Sequence, residues 1–169
     1  MKGRVLIVAG SDSSGGAGIQ ADIKTVTALG GYAMTAITAL TAQNTTGVEG
    51  IHDVPAEFVA RQMRMALIDI GADCIKTGML HRADVIEAVV AAIKEYAPGV
   101  PVVVDPVMVA KGGHLLLAGE AMQAMREGIV PLATLVTPNI PEAEALTGMK
   151  IRDTDAAAHA ARMICTLGP

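Results

Sequence analysis

The sequence predicts an α/β fold, with helices packed on both faces of a mostly parallel sheet. Three observations carry that expectation. Apolar, β-branched runs alternate with segments whose apolar residues recur at helical spacing, the order that parallel strands joined by crossover helices require. The first apolar run opens directly onto a turn rich in glycine and serine, Gly10-Ser11-Asp12-Ser13-Ser14-Gly15-Gly16. The 169 residues are 51% hydrophobic but only 2% aromatic, with ten methionines, so small and flexible aliphatic side chains must fill a core in which helices lie close on a sheet.

Taken in order, residues 5–9 read as the first strand. A helix follows over 17–29, with Ile19, Ile23, Val26 and Leu29 on one face and Gly30-Gly31 ending it. Residues 32–40 read as a second apolar strand and 41–48 as a polar loop. The next helix spans 55–70, with Pro55 near its start and Gly71 past its end. Residues 74–79 are strand-like, 82–96 helical and closed by Pro98-Gly99, and 101–104 a short β-branched strand suited to burial on both faces. A helix over 119–129, a strand over 134–137 and a short helix over 141–147 complete the alternation. A last helix over 153–166 is capped by Asp153. One domain accounts for this length, and no repeat or linker interrupts it.

Composition excludes several classes of function. The formal net charge is -4, basic runs are absent and stacking side chains are scarce, so nucleic acid is not an expected partner. The apolar stretch after Met1-Lys2-Gly3-Arg4 is too short for a signal peptide or a membrane span, which leaves a cytoplasmic protein with no membrane partner as the expectation. Cys74 and Cys165 lack ligand spacing and read as buried, reduced thiols. His52, His81, His114 and His159 show no metal spacing and read as surface or loop residues.

The glycine turn is the most informative segment. Glycines let a ligand approach the backbone closely, and the N–H groups at a helix start favour an anion or a polar ligand edge. Two familiar phosphate loops fail by spacing. Gly10 and Gly15 open a P-loop pattern, but Gly16 stands where that pattern needs lysine. Gly16-Ala17-Gly18-Ile19-Gln20-Ala21 fits a loose dinucleotide fingerprint, yet residues 33–40, where a ribose-binding acid belongs, hold none. In parallel sheets ligands sit at the carboxyl ends of strands, so the loops 10–16, 41–48, 105–114 and 137–142 are expected to open on one edge.

Those loops together resemble one family. Residues 9–22, from Ala9-Gly10-Ser11-Asp12 to Ile19-Gln20-Ala21-Asp22, are similar to the signature loop of hydroxymethylpyrimidine/phosphomethylpyrimidine kinases. Thr38-Ala39-Leu40-Thr41-Ala42-Gln43-Asn44-Thr45, Lys76-Thr77-Gly78-Met79-Leu80, Asp105-Pro106-Val107-Met108-Val109-Ala110-Lys111 and Thr137-Pro138-Asn139-Ile140-Pro141-Glu142-Ala143 resemble the segments that follow, in order and with natural spacing. The resemblance runs from Val5 to about Leu167. It implies a three-layer α/β/α ribokinase-like fold. It also implies ATP-dependent phosphorylation of 4-amino-5-hydroxymethyl-2-methylpyrimidine and then of its monophosphate, in thiamine biosynthesis, with Mg²⁺. Pyridoxal-type kinases, whose substrate is also a ring with a hydroxymethyl arm, are the alternative within the superfamily. A non-catalytic pyrimidine-binding module is the alternative outside it. Relatives often pair, so a homodimer is compatible.

The resemblance places Asp22 and Gln43 in a pyrimidine pocket lined by Gly10, Met79 and Val107. An amide offers donor and acceptor together, which suits Gln43 to an aminopyrimidine edge; facing water is its plain alternative. For Asp22 the alternative is stabilisation of the helix start, and for Met79 ordinary core packing. Asp105 is expected to hold Mg²⁺ through water. Asn139 and Glu142 match an Asn-x-x-Glu element that organises metal and phosphates, although the same residues make good helix-capping chemistry. Lys111 reaches a phosphate or solvent. One element of the family pattern has no counterpart: the Gly-Thr-Gly-Cys type turn that forms the anion hole for the transferring phosphoryl group. No catalytic residue is therefore assigned within this chain, which the resemblance reads as C-terminally incomplete, with weak pyrimidine binding and little turnover of its own.

Overall fold

The computed structural model describes residues 2–108 and 119–168. In chain order its elements are β1 (Arg4–Ala9), α1 (Gly18–Ala28), β2 (Tyr32–Ile37), β3 (Ala39–Gln43), β4 (Val48–Asp53), α2 (Ala56–Asp69), β5 (Cys74–Thr77), α3 (Ala83–Tyr96), β6 (Val102–Val104), α4 (Glu120–Ala124), β7 (Leu135–Val136), α5 (Ile140–Thr147) and α6 (Thr154–Cys165). The main sheet has the order β2-β1-β5-β6-β7, and every pair in it is parallel. The alternation in the sequence thus gives the expected α/β architecture with helices on both sides.

Strand periodicity divides the core in two. On one face Leu6, Val8, Met34, Ala36, Ile75, Val102 and Val104 pack against Val59 and Met63 of α2 and Ile86, Val89 and Ile93 of α3. Most of these side chains are fully buried, and each contributes roughly 1.5–3 kcal/mol by leaving water. The other face carries a smaller cluster, Ile7, Ala9 and Ile19 with Val5, Val26, Ala33 and Ile37, where α1 covers β1 and β2. Beyond β1 on this second face, Lys76 and Val103 are half-buried and Leu135 is exposed.

The expected strand over 32–40 ends earlier, at Ile37. Thr38 donates its N–H to Ala9 O and its hydroxyl to Met79 O, and the chain leaves the sheet there. The stretch expected to be a polar loop is instead built into an antiparallel hairpin of β3 and β4, with a register shift between Ala42 and Gln43. No glycine or proline marks the break in the sequence, which shows in the structure as a change of buried positions from Met34, Ala36 and Thr38 to Ala39 and Thr41. At the free edge of β2, the Gln62 side chain stands in for a further strand: it accepts from Ile37 N at 3.0 Å and donates to Ile37 O at 3.1 Å.

Three smaller expectations change. The helix over 119–129 is a short α4 followed by a π-helical turn, Met125–Ile129, and a 3-10 turn, Val130–Leu132, that carries Pro131. Cys74 is only half-buried and Cys165 is exposed, so neither is a fully buried core thiol; Cys74 lies on the sheet face beyond the cover of α1. Burial still pushes the Cys74 thiol above its ordinary value. Asp153 does cap α6, accepting from Ala156 N at 2.8 Å.

Candidate active site

At the carboxyl ends of β1, β5 and β6 lies a cavity of about 300 Å³ that the hairpin partly roofs. It gathers residues from all four loops expected to open on one edge: Gly10 and Asp12, Gln43 and Val48, Asp105 and Val107, Asn139 and Glu142. A recess of about 430 Å³ at the hairpin tip, along Asn44 and Thr46, is larger but wide open and holds Glu49 as its one charged group. The residues that carry chemistry converge on the first.

The glycine loop is folded around the carboxylate of Asp12. Asp12 is 2% exposed, and its carboxylate accepts from Ser14 N at 2.9 Å, Ser14 Oγ at 2.7 Å, Gly16 N at 3.0 Å and Ala17 N at 2.8 Å. Burial works to raise its pKa, but the bonds from Ser14, Ala17 and Gly16 overcome that and hold the carboxyl below its ordinary value. Asp12 N donates to the Gln20 side chain at 2.8 Å, and Ile19 N donates to Gly10 O at 3.0 Å. Asp12 thus takes the N–H groups of Ser14, Gly16 and Ala17 ahead of the helix and Gly10 O takes that of Ile19, while no side chain caps α1. What the loop presents to the cavity is its glycine backbone.

Two serines join this loop to the roof. Ser11 Oγ accepts from Thr41 N at 3.0 Å, while the Thr41 hydroxyl donates to Ser11 O at 2.8 Å. Ser13 Oγ donates to Gln43 O at 2.7 Å and accepts from Gln43 N at 2.9 Å. Alternate residues of one segment thus bind alternate residues of the other, which fixes the register of Gln43 over the cavity. The Gln43 side-chain oxygen lies 3.3 Å from Thr41 Oγ1, and its NH₂ donates to none of the described residues. Met79 crosses below and packs against Gly10, where a Cβ would collide with the Met79 methyl group. Val107 closes the far side.

The opposite end of the cavity is charged. Lys76 Nζ lies 2.8 Å from Asp22 Oδ2 and 3.6 Å from Asp105 Oδ2, with these three side chains about a quarter to a third exposed. Asp22 lies beyond the first turn of α1, which contains no acidic residue, so helix-start stabilisation does not explain it. It also does not line the cavity wall; it reaches the site through Lys76.

Asn139 and Glu142 form a capping box at the start of α5. Glu142 N donates to Asn139 Oδ1 at 3.0 Å and Asn139 N donates to Glu142 Oε2 at 2.9 Å, with Pro141 between them. Both residues also line the cavity. Glu142 is 5% exposed; burial raises its pKa and the charge of Asp105 raises it further, against the bond from Asn139 N. Helix capping and a tensioned carboxylate coexist in one side chain.

The structure thus brings together Gly10, Gln43, Met79, Val107, Asp105, Asn139 and Glu142, and sets Asp22 behind Lys76. Lys111 and His114 lie outside the described residues. Sequence reasoning quoted Lys76 only as part of a motif and gave it no role. Its signal was a lysine inside an otherwise apolar central strand, a place that charge occupies only with a partner.

Comparison with known proteins gives this arrangement its family. The family model described as phosphomethylpyrimidine kinase matches residues 12–169. A thiamine biosynthesis bifunctional protein of Geobacter sulfurreducens is 57% identical over 99% of this chain and 34% of its own length. A hydroxymethylpyrimidine/phosphomethylpyrimidine kinase of Mycobacterium leprae is 50% identical over 98% of this chain and 60% of its own length. The crystal structure of a phosphomethylpyrimidine kinase from Clostridium difficile 630 superposes with a TM-score of 0.92 at 44% identity, covering 98% of this chain and 74% of that one. The chain thus spans well under two thirds of these two curated relatives. With a match that runs over residues 12–169, the chain belongs to the phosphomethylpyrimidine kinase family.

Proposed function

We propose that this chain supplies the pyrimidine pocket of an ATP-dependent kinase that phosphorylates 4-amino-5-hydroxymethyl-2-methylpyrimidine and then its monophosphate, in thiamine biosynthesis. The observation that carries the reading is the division of the cavity. Gly10, Gln43, Met79 and Val107 make an apolar slot with one amide, while Lys76, Asp105, Asn139 and Glu142 make a charged end. An aminopyrimidine fits the first: the Gln43 NH₂ is uncommitted among the described residues, its oxygen can accept from an exocyclic amine, and Met79 and Val107 flank the ring faces. The hydroxymethyl arm then points toward the carboxylates, where phosphoryl transfer needs charge to be organised.

The acidic end also fits Mg²⁺. Burial first, and then the charge of Asp105, raise the Glu142 pKa, and hard oxygen donors of this kind suit a hydrated cation. When bound, the ion supplies charge neutralisation for the phosphates. The residues' own part is to hold Asp105 beside Lys76 and Glu142 within its capping box.

Titration calorimetry on this chain tests the reading. Binding of the pyrimidine alcohol, weakened in Gln43→Leu, is the expected result. Preference for pyridoxal, or no binding of either ring, counts against it.

A further inference from the structure

We propose that Lys76 is the group that recognises the anionic form of the substrate, so that it governs the second phosphorylation and is nearly silent in the first. The inference rests on the pyrimidine reading above and deepens it. The two substrates of that reading differ in one respect that matters electrostatically. The alcohol is neutral, whereas its monophosphate carries about -1.5 to -2 charges near neutral pH. A pocket that accepts both must offer a cation that the neutral substrate does not need.

Among the described residues lining the cavity, Lys76 is the sole cationic side chain, and the other charged groups there are Asp12, Asp105 and Glu142. Without Lys76 the charged side chains among the described lining residues would all be carboxylates. The geometry leaves the ammonium able to act. It hydrogen-bonds Asp22 at 2.8 Å, but Asp105 at 3.6 Å is beyond hydrogen-bond distance. An ammonium has three N–H donors, so one is committed to Asp22 and the others are available to a ligand oxygen. Asp22 approaches from α1, outside the cavity wall, and so steers the ammonium without filling the space in front of it. The Lys76 stem is held in the central strand β5, between β1 and β6, and Gly78 keeps the approach clear: a Cβ there would stand 3.2 Å from Lys76 Nζ. A rigid strand places the charge, and a paired carboxylate aims it.

The alternative role is purely structural, a tie between α1 and the sheet. The two separate by ligand charge. Calorimetry on the unaltered chain, Lys76→Met and Lys76→Arg uses the pyrimidine alcohol and its monophosphate as probes. We expect Lys76→Met to weaken the monophosphate by about tenfold or more, the size of one charge-assisted contact, and the alcohol by less than about twofold. Lys76→Arg should restore most of the difference. Added salt should weaken monophosphate binding to the unaltered chain but not to Lys76→Met, where it screens only the carboxylates. Equal losses for both probes overturn the proposal in favour of the structural tie, and no loss for either overturns it too. Failure of the unaltered chain to bind either probe overturns the pyrimidine reading and this proposal with it. Should Lys76→Met fail to fold, the Lys76 Hε–Cε resonance of the unaltered chain, assigned through Lys76→Arg, decides. It should shift with the monophosphate and not with the alcohol; a shift with both, or with neither, overturns the assignment.

Discussion

Gly18 lies directly against the carbonyl of Gly10. A Cβ on Gly18 would stand 2.5 Å from that oxygen, and the Gly18 backbone is left-handed at φ +56°. The obstacle is backbone on both sides, so no side-chain rotation relieves it. Gly18→Ala should therefore cost about 2 kcal/mol or more. A urea titration checks this, as a lower midpoint with an unchanged slope.

Asp12 should matter as much without touching any ligand. Asp12→Ala strands the N–H groups of Ser14, Gly16 and Ala17 and the Ser14 hydroxyl beside a new void. The expected loss is about 2–4 kcal/mol. Asp12→Asn should lose a good share of it, because an amide cannot accept on both of its ends. Chemical denaturation of the three proteins at neutral pH measures the series.

Acid should undo the opposite end of the sheet. Arg4 grips Asp73 through its main-chain N–H at 2.8 Å and its guanidinium at 2.7 and 3.1 Å, and also donates to Ile70 O. These bonds lower the Asp73 pKa to about 2, against an ordinary 3.8. Between those values the unfolded chain binds more protons than the folded one, so stability rises with pH there. The contribution is complete above the ordinary value and disappears as pH falls toward 2. Thermal melts from pH 5 downward should fall less steeply for Asp73→Asn than for the unaltered chain.

Glu142 carries the opposite sign. Its folded pKa is raised by burial and then by Asp105, so its ionised form is a cost to the fold at neutral pH. Glutamine can keep the third position of a capping box. Glu142→Gln should therefore melt at or above the temperature of the unaltered chain at pH 7. The advantage should shrink as pH falls through the folded pKa toward the ordinary 4.5. The same variant should lose any Mg²⁺-dependent nucleotide effect. Retention of that effect would confine Glu142 to helix capping.

Room for the ring depends on Gly10 and Met79 together. A methyl group on Gly10 would push the Met79 tip into the slot. Gly10→Ala should weaken pyrimidine binding by about tenfold, within the range of overpacking effects, with a small effect on stability because a methionine tip is flexible. Shortening Met79 in the same chain should recover part of the loss, and a double-mutant cycle by calorimetry reads the coupling.

The parallel sheet was legible because its strands are buried runs flanked by glycine and proline, and the loops that gather at its edge follow from strand direction alone. The hairpin was not. Residues 32–42 hold no glycine or proline to mark a turn, and the tertiary bonds of Thr38 to Ala9 and Met79 show where the chain leaves the sheet. Gln43 was legible as a reader of ring edges, but its fixed register comes from Ser11 and Ser13, whose partners lie 30 positions away in the sequence. The role of Asp12 was not legible either, because its carboxylate is spent on N–H groups whose positions only the folded loop fixes. The role of Lys76 was not legible, because the ion pair that gives the lysine meaning spans 54 positions of sequence.

One consequence of the strand order concerns the tempo of opening. β1 has a partner on each side, β2 and β5, and is the strand enclosed on both faces, by α1 and by the larger core. Its Leu6, Ile7 and Val8 are wholly buried. Local fluctuations that free the hairpin, α6 or the β7 edge leave it untouched, so its amides can meet solvent deuterium only when the whole sheet parts. The first strand of the chain should therefore be the last to exchange, and its protection should report the global stability while the pocket roof above it exchanges at its own faster rate.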